Sequence, residues 1–237
     1  MSPLERIWRD IVFLDGLART LYAYRHLKPT GKRTLADDLE ASVDKHRDNL
    51  AFRFEDASLT YAAFEARANA YAHWALAQGL KRGDTVALFM GNKPDYVACW
   101  FGLSKVGVIT ALINSNLMGA PLAHCLAISN AAHVIVEHAL IAAYEAVAPT
   151  LAQALTLWDD EGALEDALGA MPATRPPASL RAGLKITDPA LLVYTSGTTG
   201  APKAAKITHL RAMGMLRAFG GAGHASARDR VYLTLPL

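Results

Sequence analysis

The 237-residue sequence is poor in cysteine, and the two present, Cys99 and Cys125, form no CxxC pair. That excludes a disulfide framework and leaves no spacing for a structural zinc site. Each lies in an apolar segment, as expected of buried free thiols in a reducing compartment. No apolar run reaches the roughly 18 residues of a membrane span. No basic, then apolar, then small-residue leader opens the chain. The expected location is therefore cytoplasmic. Charge of one sign is also missing: 24 Lys plus Arg stand against 22 Asp plus Glu, a net charge of +2. Without a basic stripe, nucleic acid is not an expected partner. No internal repeat at a fixed period occurs. At 52% hydrophobic and 19% charged residues, the composition excludes a disordered chain.

Two common phosphate loops are missing as well. Gly200 is followed by Ala201 and Pro202 before Lys203, so the Walker A spacing fails. Gly197-Thr-Thr-Gly200 lacks the dinucleotide-binding spacing. In their place stands the run Tyr194-Thr-Ser-Gly-Thr-Thr-Gly-Ala-Pro-Lys203. An apolar segment, Leu191 to Val193, precedes it, and helical spacing begins after it, from about Thr208 to Phe219. Glycines let backbone N–H groups turn toward an anion. Hydroxyls donate to phosphate oxygens, and lysine adds a compact positive charge. The run reads as a phosphate cradle; the plainer alternative is a polar turn between strand and helix.

Elsewhere strands and helices alternate. Thr60 can cap a helix with Tyr61, Phe64, Ala68, Tyr71, Ala72 and Ala75 on its apolar face, stopping near Gly79. Thr85 to Met90 reads as a strand buried on both faces, and Pro94 starts a helix ending at Gly107. Further strands are expected at 108–113, 133–137, 155–158 and 231–235, with helices at 122–129 and 140–151. Residues 159–188 read as a surface connection. The predicted fold is α/β, a mostly parallel sheet covered by helices. Residues 4–28 form a basic amphipathic helix with Leu4, Ile7, Trp8, Ile11, Leu14, Ala18, Leu21 and Tyr22 on one face. Through Arg33 this segment holds seven Lys or Arg against three acidic residues. It can dock on the body of the domain, the commoner fate, or lie on an anionic bilayer at the inner face of the membrane.

The run from Thr195 to Lys203 resembles the signature loop of the adenylate-forming, or AMP-binding, superfamily, which includes acyl-CoA synthetases, luciferases and peptide-synthetase adenylation domains. Thr195, Ser196, Gly197, Thr198, Thr199, Gly200, Pro202 and Lys203 all fall on its pattern. Likeness continues at Leu59-Thr60-Tyr61, Arg67 to Asn69, Gly83-Asp84, Val86 to Leu88, Asn92 and Lys105 to Gly107. Ala111 to Asn116 and Leu122 to Leu126 resemble the fatty acid transport protein and very-long-chain acyl-CoA synthetase branch, as does Lys203-Ala-Ala-Lys206. The resemblance covers about residues 35–237. It implies an N-terminal helix over 1–34 and a partial AMP-binding N-terminal domain over 35–237, truncated at its C-terminal end. Family members are more than twice as long, so the 237-residue chain alone is expected to be inactive.

The activity implied is fatty-acid–CoA ligation. A carboxylate attacks the α-phosphorus of ATP to give an acyl-adenylate and pyrophosphate, and the thiol of coenzyme A then displaces AMP. ATP, Mg2+ and coenzyme A are the implied cofactors, and a fatty acid the partner. By carry-over, Thr195, Ser196, Gly197, Thr198, Thr199 and Gly200 wrap the β- and γ-phosphates, while Lys203 steadies the loop or the leaving group. Thr195 and Lys203 are the implied catalytic pair. Two other readings stay open: a ligase for an aryl or amino acid, and a non-catalytic nucleotide- or membrane-binding remnant. The remaining conspicuous residues take structural roles. His124-Cys125 reads as packing, because adjacent helical residues do not face each other. His133 and His138 flank a strand and make no metal pair. Asp159, Asp160 and Glu161 read as solvated surface, Lys206 as a helix-start residue, and His209 as a packing or capping group. Trp8, Trp74, Trp100 and Trp158 suit core or interface anchoring.

Overall fold

In a computed structural model, residues 2–195 and 201–233 are described. The chain begins with α1 (Pro3–Tyr24) and α2 (Leu35–His46), succeeded by a small hairpin, β1 (Leu50–Phe54) and β2 (Ala57–Thr60). Then come α3 (Tyr61–Ala77), β3 (Thr85–Phe89), α4 (Pro94–Lys105), β4 (Ile109–Ile113), α5 (Gly119–Ile128) and β5 (His133–Val136). The rest is α6 (Ile141–Glu145), β6 (Thr156–Asp159), α7 (Ala163–Gly169), β7 (Pro189–Thr195), β8 (Lys203–Thr208) and α8 (His209–Ala222). Six strands form one sheet in the order β6-β5-β3-β4-β7-β8. All neighbours are parallel except β7 and β8, which form an antiparallel hairpin. The expected α/β architecture is therefore present.

Continuous apolar runs make the central strands. Every residue of β3 is buried, and its alternating side chains feed two cores. Val86 and Leu88 pack with α3, α4 and α7 on one face; Ala87 and Phe89 pack with α5 and Tyr144 of α6 on the other. Thr60 caps α3 as expected, its hydroxyl accepting from the Ala63 N–H at 3.2 Å. Helices α3 and α4 approach closely because Gly102 has no side chain. A Cβ there would lie 2.3 Å from the Ala68 carbonyl oxygen and 2.6 Å from the Tyr71 Cβ.

Several expectations need correction. The 140–151 helix is broken, with α6 flanked by 3-10 turns at His138–Leu140 and Ala148–Thr150, where Pro149 interrupts the ladder. Residues 159–188 are more than a surface connection. They contain α7, and Leu164, Leu168, Arg181, Leu184 and Ile186 are buried. Asp160 is not solvated surface: its side chain is 7% exposed and pairs with Lys93, while Asp159 pairs with His138 at 2.9 Å. Val231 to Leu233 form no strand and are exposed; residues 234 and 235 lie outside the described residues. Trp8 anchors no core, being 69% exposed, whereas Trp74 is fully buried against Trp158 and His133. Cys99 and Cys125 are buried free thiols, as expected.

Helix α1 docks on α8 by one narrow seam. Gly16, Thr20 and Tyr24 meet Ala222, Gly221 and Gly214 in antiparallel order. Glycine at 221 is what allows the approach, since a Cβ would fall 2.5 Å from the Thr20 hydroxyl. Gly16 is the one buried residue of the helix. The apolar stripe Leu4, Ile7, Trp8, Ile11, Leu14, Leu21 and Tyr22 sits roughly half a turn away from this seam and is exposed. Because the helices run antiparallel, the first turns of α1 extend past the end of α8.

Candidate functional site

The strand order places Thr195, where the signature run begins, at the C-terminal edge of the parallel sheet. The chain passes from β3 to β4 on one side, then returns across β3 to β5 on the other. Ligand crevices of parallel α/β sheets open where the order reverses, beyond the strand C-termini. Strand β7 lies next to β4 and ends at Thr195, on that same edge.

Beyond Thr195 the chain turns back as a hairpin rather than passing from strand to helix. Thr195 and Lys203 are the last facing pair of the β7–β8 ladder. Facing residues of an antiparallel pair project to the same side, so hydroxyl and ammonium flank one mouth. Both are exposed, and among the described residues no carboxylate pairs with Lys203. Ser196, Gly197, Thr198, Thr199 and Gly200 lie outside the described residues. Lys206 is corrected from a helix start to an exposed strand residue facing Leu192. The run Lys-Ala-Ala-Lys-Ile-Thr lacks β-branched residues until its end, which hid β8. The helix itself starts at His209, with Thr208 as its cap at 3.1 Å from the Arg211 N–H. His209 is buried, and its Nδ1 accepts from the Leu35 N–H at 3.4 Å, which makes it the packing group expected. Burial pushes its pKa down.

The inner wall of the hairpin packs on α5. Leu122, Cys125 and Leu126 are buried with Leu192, and Tyr194 joins that cluster. Burial first, then the neighbouring Cys125 thiol, pushes the Tyr194 phenol well up, so it stays protonated. From the same helix His124 reaches the hairpin, its Nε2 lying 2.9 Å from the Pro202 carbonyl oxygen. Sequence reasoning assigned His124 to packing and missed this contact. Its partner is 78 residues away, so no local spacing signals it. Among the described residues no group of three or more His, Cys, Asp or Glu could hold a metal ion.

Residues 39–237 match the model of the AMP-binding enzyme family. The chain belongs to that family. It is similar to human long-chain fatty acid transport protein 6, at 31% identity over 97% of this chain and 38% of the relative. It also resembles the Mycobacterium tuberculosis medium/long-chain-fatty-acid–CoA ligase FadD6, at 32% identity over 89% of this chain and 35% of that protein. The chain thus spans little more than a third of the curated relatives it matches. Among solved structures, the N-terminal domain of FACL13 from Mycobacterium tuberculosis is 26% identical with a TM-score of 0.68, over 75% of this chain and 44% of that one. For this AMP-binding family member the fold and the family agree with each other.

Proposed function

We propose that this AMP-binding protein serves the ATP-dependent activation of a long- or very-long-chain fatty acid, through an acyl-adenylate, to acyl-CoA. The observation that carries the reading is that Thr195 faces Lys203 across the hairpin mouth, both exposed and Lys203 without a carboxylate partner among the described residues. The relatives' fatty-acid names supply the substrate class.

The first step joins two anions, and the protein must offset their repulsion and hold them in line. The carboxylate oxygen forms a bond to the α-phosphorus, the α–β bridging bond breaks, and the electron pair leaves on pyrophosphate. Fixed donors stabilise that charge best where they need no reorganisation. Thr195, with the hydroxyls and N–H groups of 196–200, takes the β- and γ-phosphates, while Lys203 balances the leaving group. In the second step the thiol of coenzyme A displaces AMP. Mg2+ held with the nucleotide would supply further positive charge against the phosphates. Residues 35–237 are on this reading the partial AMP-binding domain, with residues 1–34 as an added helix.

The test is ATP–pyrophosphate exchange with the natural protein. We expect exchange that depends on a long-chain fatty acid and falls in both Thr195→Ala and Lys203→Ala, with fatty-acid binding kept. Unchanged exchange in both variants would sink the cradle assignment. Exchange driven by an aryl or amino acid instead would move the protein to another acid. ATP binding without exchange would favour a non-catalytic remnant.

A second reading concerns α1. Its stripe faces away from the seam it makes with α8, and Trp8 and Tyr22 lie on it beside basic residues. Apolar and aromatic side chains bordered by Arg suit the headgroup region of an anionic bilayer. Among the described residues no helix is long and apolar enough to cross a membrane, so the contact proposed is peripheral, at the cytoplasmic face.

A further inference from the structure

We propose that His124 is a positioning residue that latches the exit side of the nucleotide-binding hairpin to α5. The proposal rests on the nucleotide reading of that hairpin.

Helix α5 is a firm base. Leu122, Cys125 and Leu126, three and four residues apart, are buried against β7 and the neighbouring strands. His124 lies between them in sequence, half-exposed at the helix edge, and its Nε2–H donates to the Pro202 carbonyl at 2.9 Å. That carbonyl lies just past the last facing pair, Thr195 and Lys203, so among the described residues no residue of β7 faces it. Proline also brings no N–H of its own with which to tie this end of β8 down. The imidazole supplies a tie one residue before Lys203. On the entry side, Tyr194 is held by packing on the same cluster. Helix α5 thereby grips both strands of the hairpin where they meet its mouth, and sets the separation between the Thr195 hydroxyl and the Lys203 ammonium. Pre-organised donors lose rate when their support loosens, even with the donors themselves intact.

The latch is indifferent to protonation of the ring. Nε2 carries its proton in the imidazolium and in the neutral tautomer that donates to Pro202. A role as proton carrier predicts a pH profile that changes on substitution; a latch does not.

The test compares His124→Ala with His124→Gln, whose amide N–H can replace the donor, in the natural protein. Hydrogen exchange of the peptide covering residues 201–208 should quicken in His124→Ala and stay near the parent in His124→Gln. KM for ATP in pyrophosphate exchange should rise about tenfold in His124→Ala, with KM for the fatty acid steady, and should recover in His124→Gln. The shape of the pH profile should not change in either variant. Unaltered exchange at 201–208 in His124→Ala overturns the latch. So does an equal loss in both variants with a lowered melting temperature, which would mark simple packing. Faster exchange at 201–208 with unchanged ATP kinetics keeps the contact but overturns its role in positioning. If Thr195→Ala and Lys203→Ala are then also silent, the nucleotide reading itself has failed.

Discussion

Lys105 and Lys203 show what this fold does with a lysine in two places. Lys105, at the end of α4, is fully buried, and its Nζ lies 3.0 Å from both Glu40 and Glu65. Arg175 adds a 2.7 Å pair to Glu65 and another to Asp44, and Arg181 ties Asp37 and Glu40. The result is a network joining α2, α3, α4 and the connection before β7. Lys203 stands exposed at the hairpin mouth with no carboxylate beside it among the described residues. A buried ammonium must be neutralised by its neighbours, because desolvation makes an unpaired one untenable. An ammonium meant for an incoming anion must be left without such neighbours. The first lysine serves structure; the second, without a carboxylate partner among the described residues, fits the proposed phosphate role.

That contrast can be broken by experiment. Removing one partner of the network, Glu65→Ala, should cost about 3–5 kcal/mol of stability, since Lys105 and Arg175 lose a shared carboxylate. Denaturant titration reads this directly, and a loss under about 1 kcal/mol would mean solvent reaches the network. Lys203→Ala should do the reverse, with stability within about 0.5 kcal/mol of the parent and pyrophosphate exchange slowed about a hundredfold. A lysine whose loss destabilises the protein and spares exchange would belong with Lys105. Gly102→Ala should cost about 1–3 kcal/mol by forcing α3 and α4 apart. A fourth variant, Ile7→Glu with Ile11→Glu, should leave stability within about 0.5 kcal/mol, because both side chains are exposed. Co-sedimentation with vesicles containing phosphatidylglycerol should nonetheless disappear, and retention would remove α1 from the membrane reading.

The smallest effect is a pH dependence in the network. Burial works to raise the Asp37 carboxyl, but hydrogen bonds from Thr34 and Arg181 outweigh it and hold its pKa below the usual 3.8. A depressed carboxylate stabilises the fold above its unfolded pKa, and that contribution fades as pH falls through the folded value. The stability gap between the parent and Asp37→Asn should therefore be full near neutral pH and shrink below about pH 3.8. A gap that is constant down to pH 2 would assign Asp37 a role independent of its charge.

Much of the sheet was legible from residue order. The run Thr85 to Met90, the cap at Thr60, Pro94 at a helix start and Gly107 at its end each act within a few residues, and all reappear in the structure. Strand β8 was not legible, because Lys and Ala carry little strand preference and its existence depends on pairing with β7. The 163–169 helix, the half-buried Arg175 and the buried Arg181 were hidden in a proline-containing stretch. The helix is held by Leu164 and Leu168 in the distant core, and the two arginines by carboxylates more than a hundred residues earlier. Thr195 and Lys203 were found as candidates from the loop's chemistry, and their facing placement came from the ladder. His124 was visible as a residue and invisible as a contact.

By itself the sequence determined what short-range chemistry controls: the α/β alternation, the buried strands, the amphipathic first helix and a loop of hydroxyls, glycines and lysine suited to phosphate. Only the tertiary structure decided which way each of these points. It turned the apolar stripe of α1 away from α8, paired the strands on either side of the loop as a hairpin and brought α5 beneath it. It also placed Lys105 among carboxylates and left Lys203 without any among the described residues. Composition and spacing describe neighbours along the chain, whereas the energy of a charge or an apolar face depends on neighbours in space.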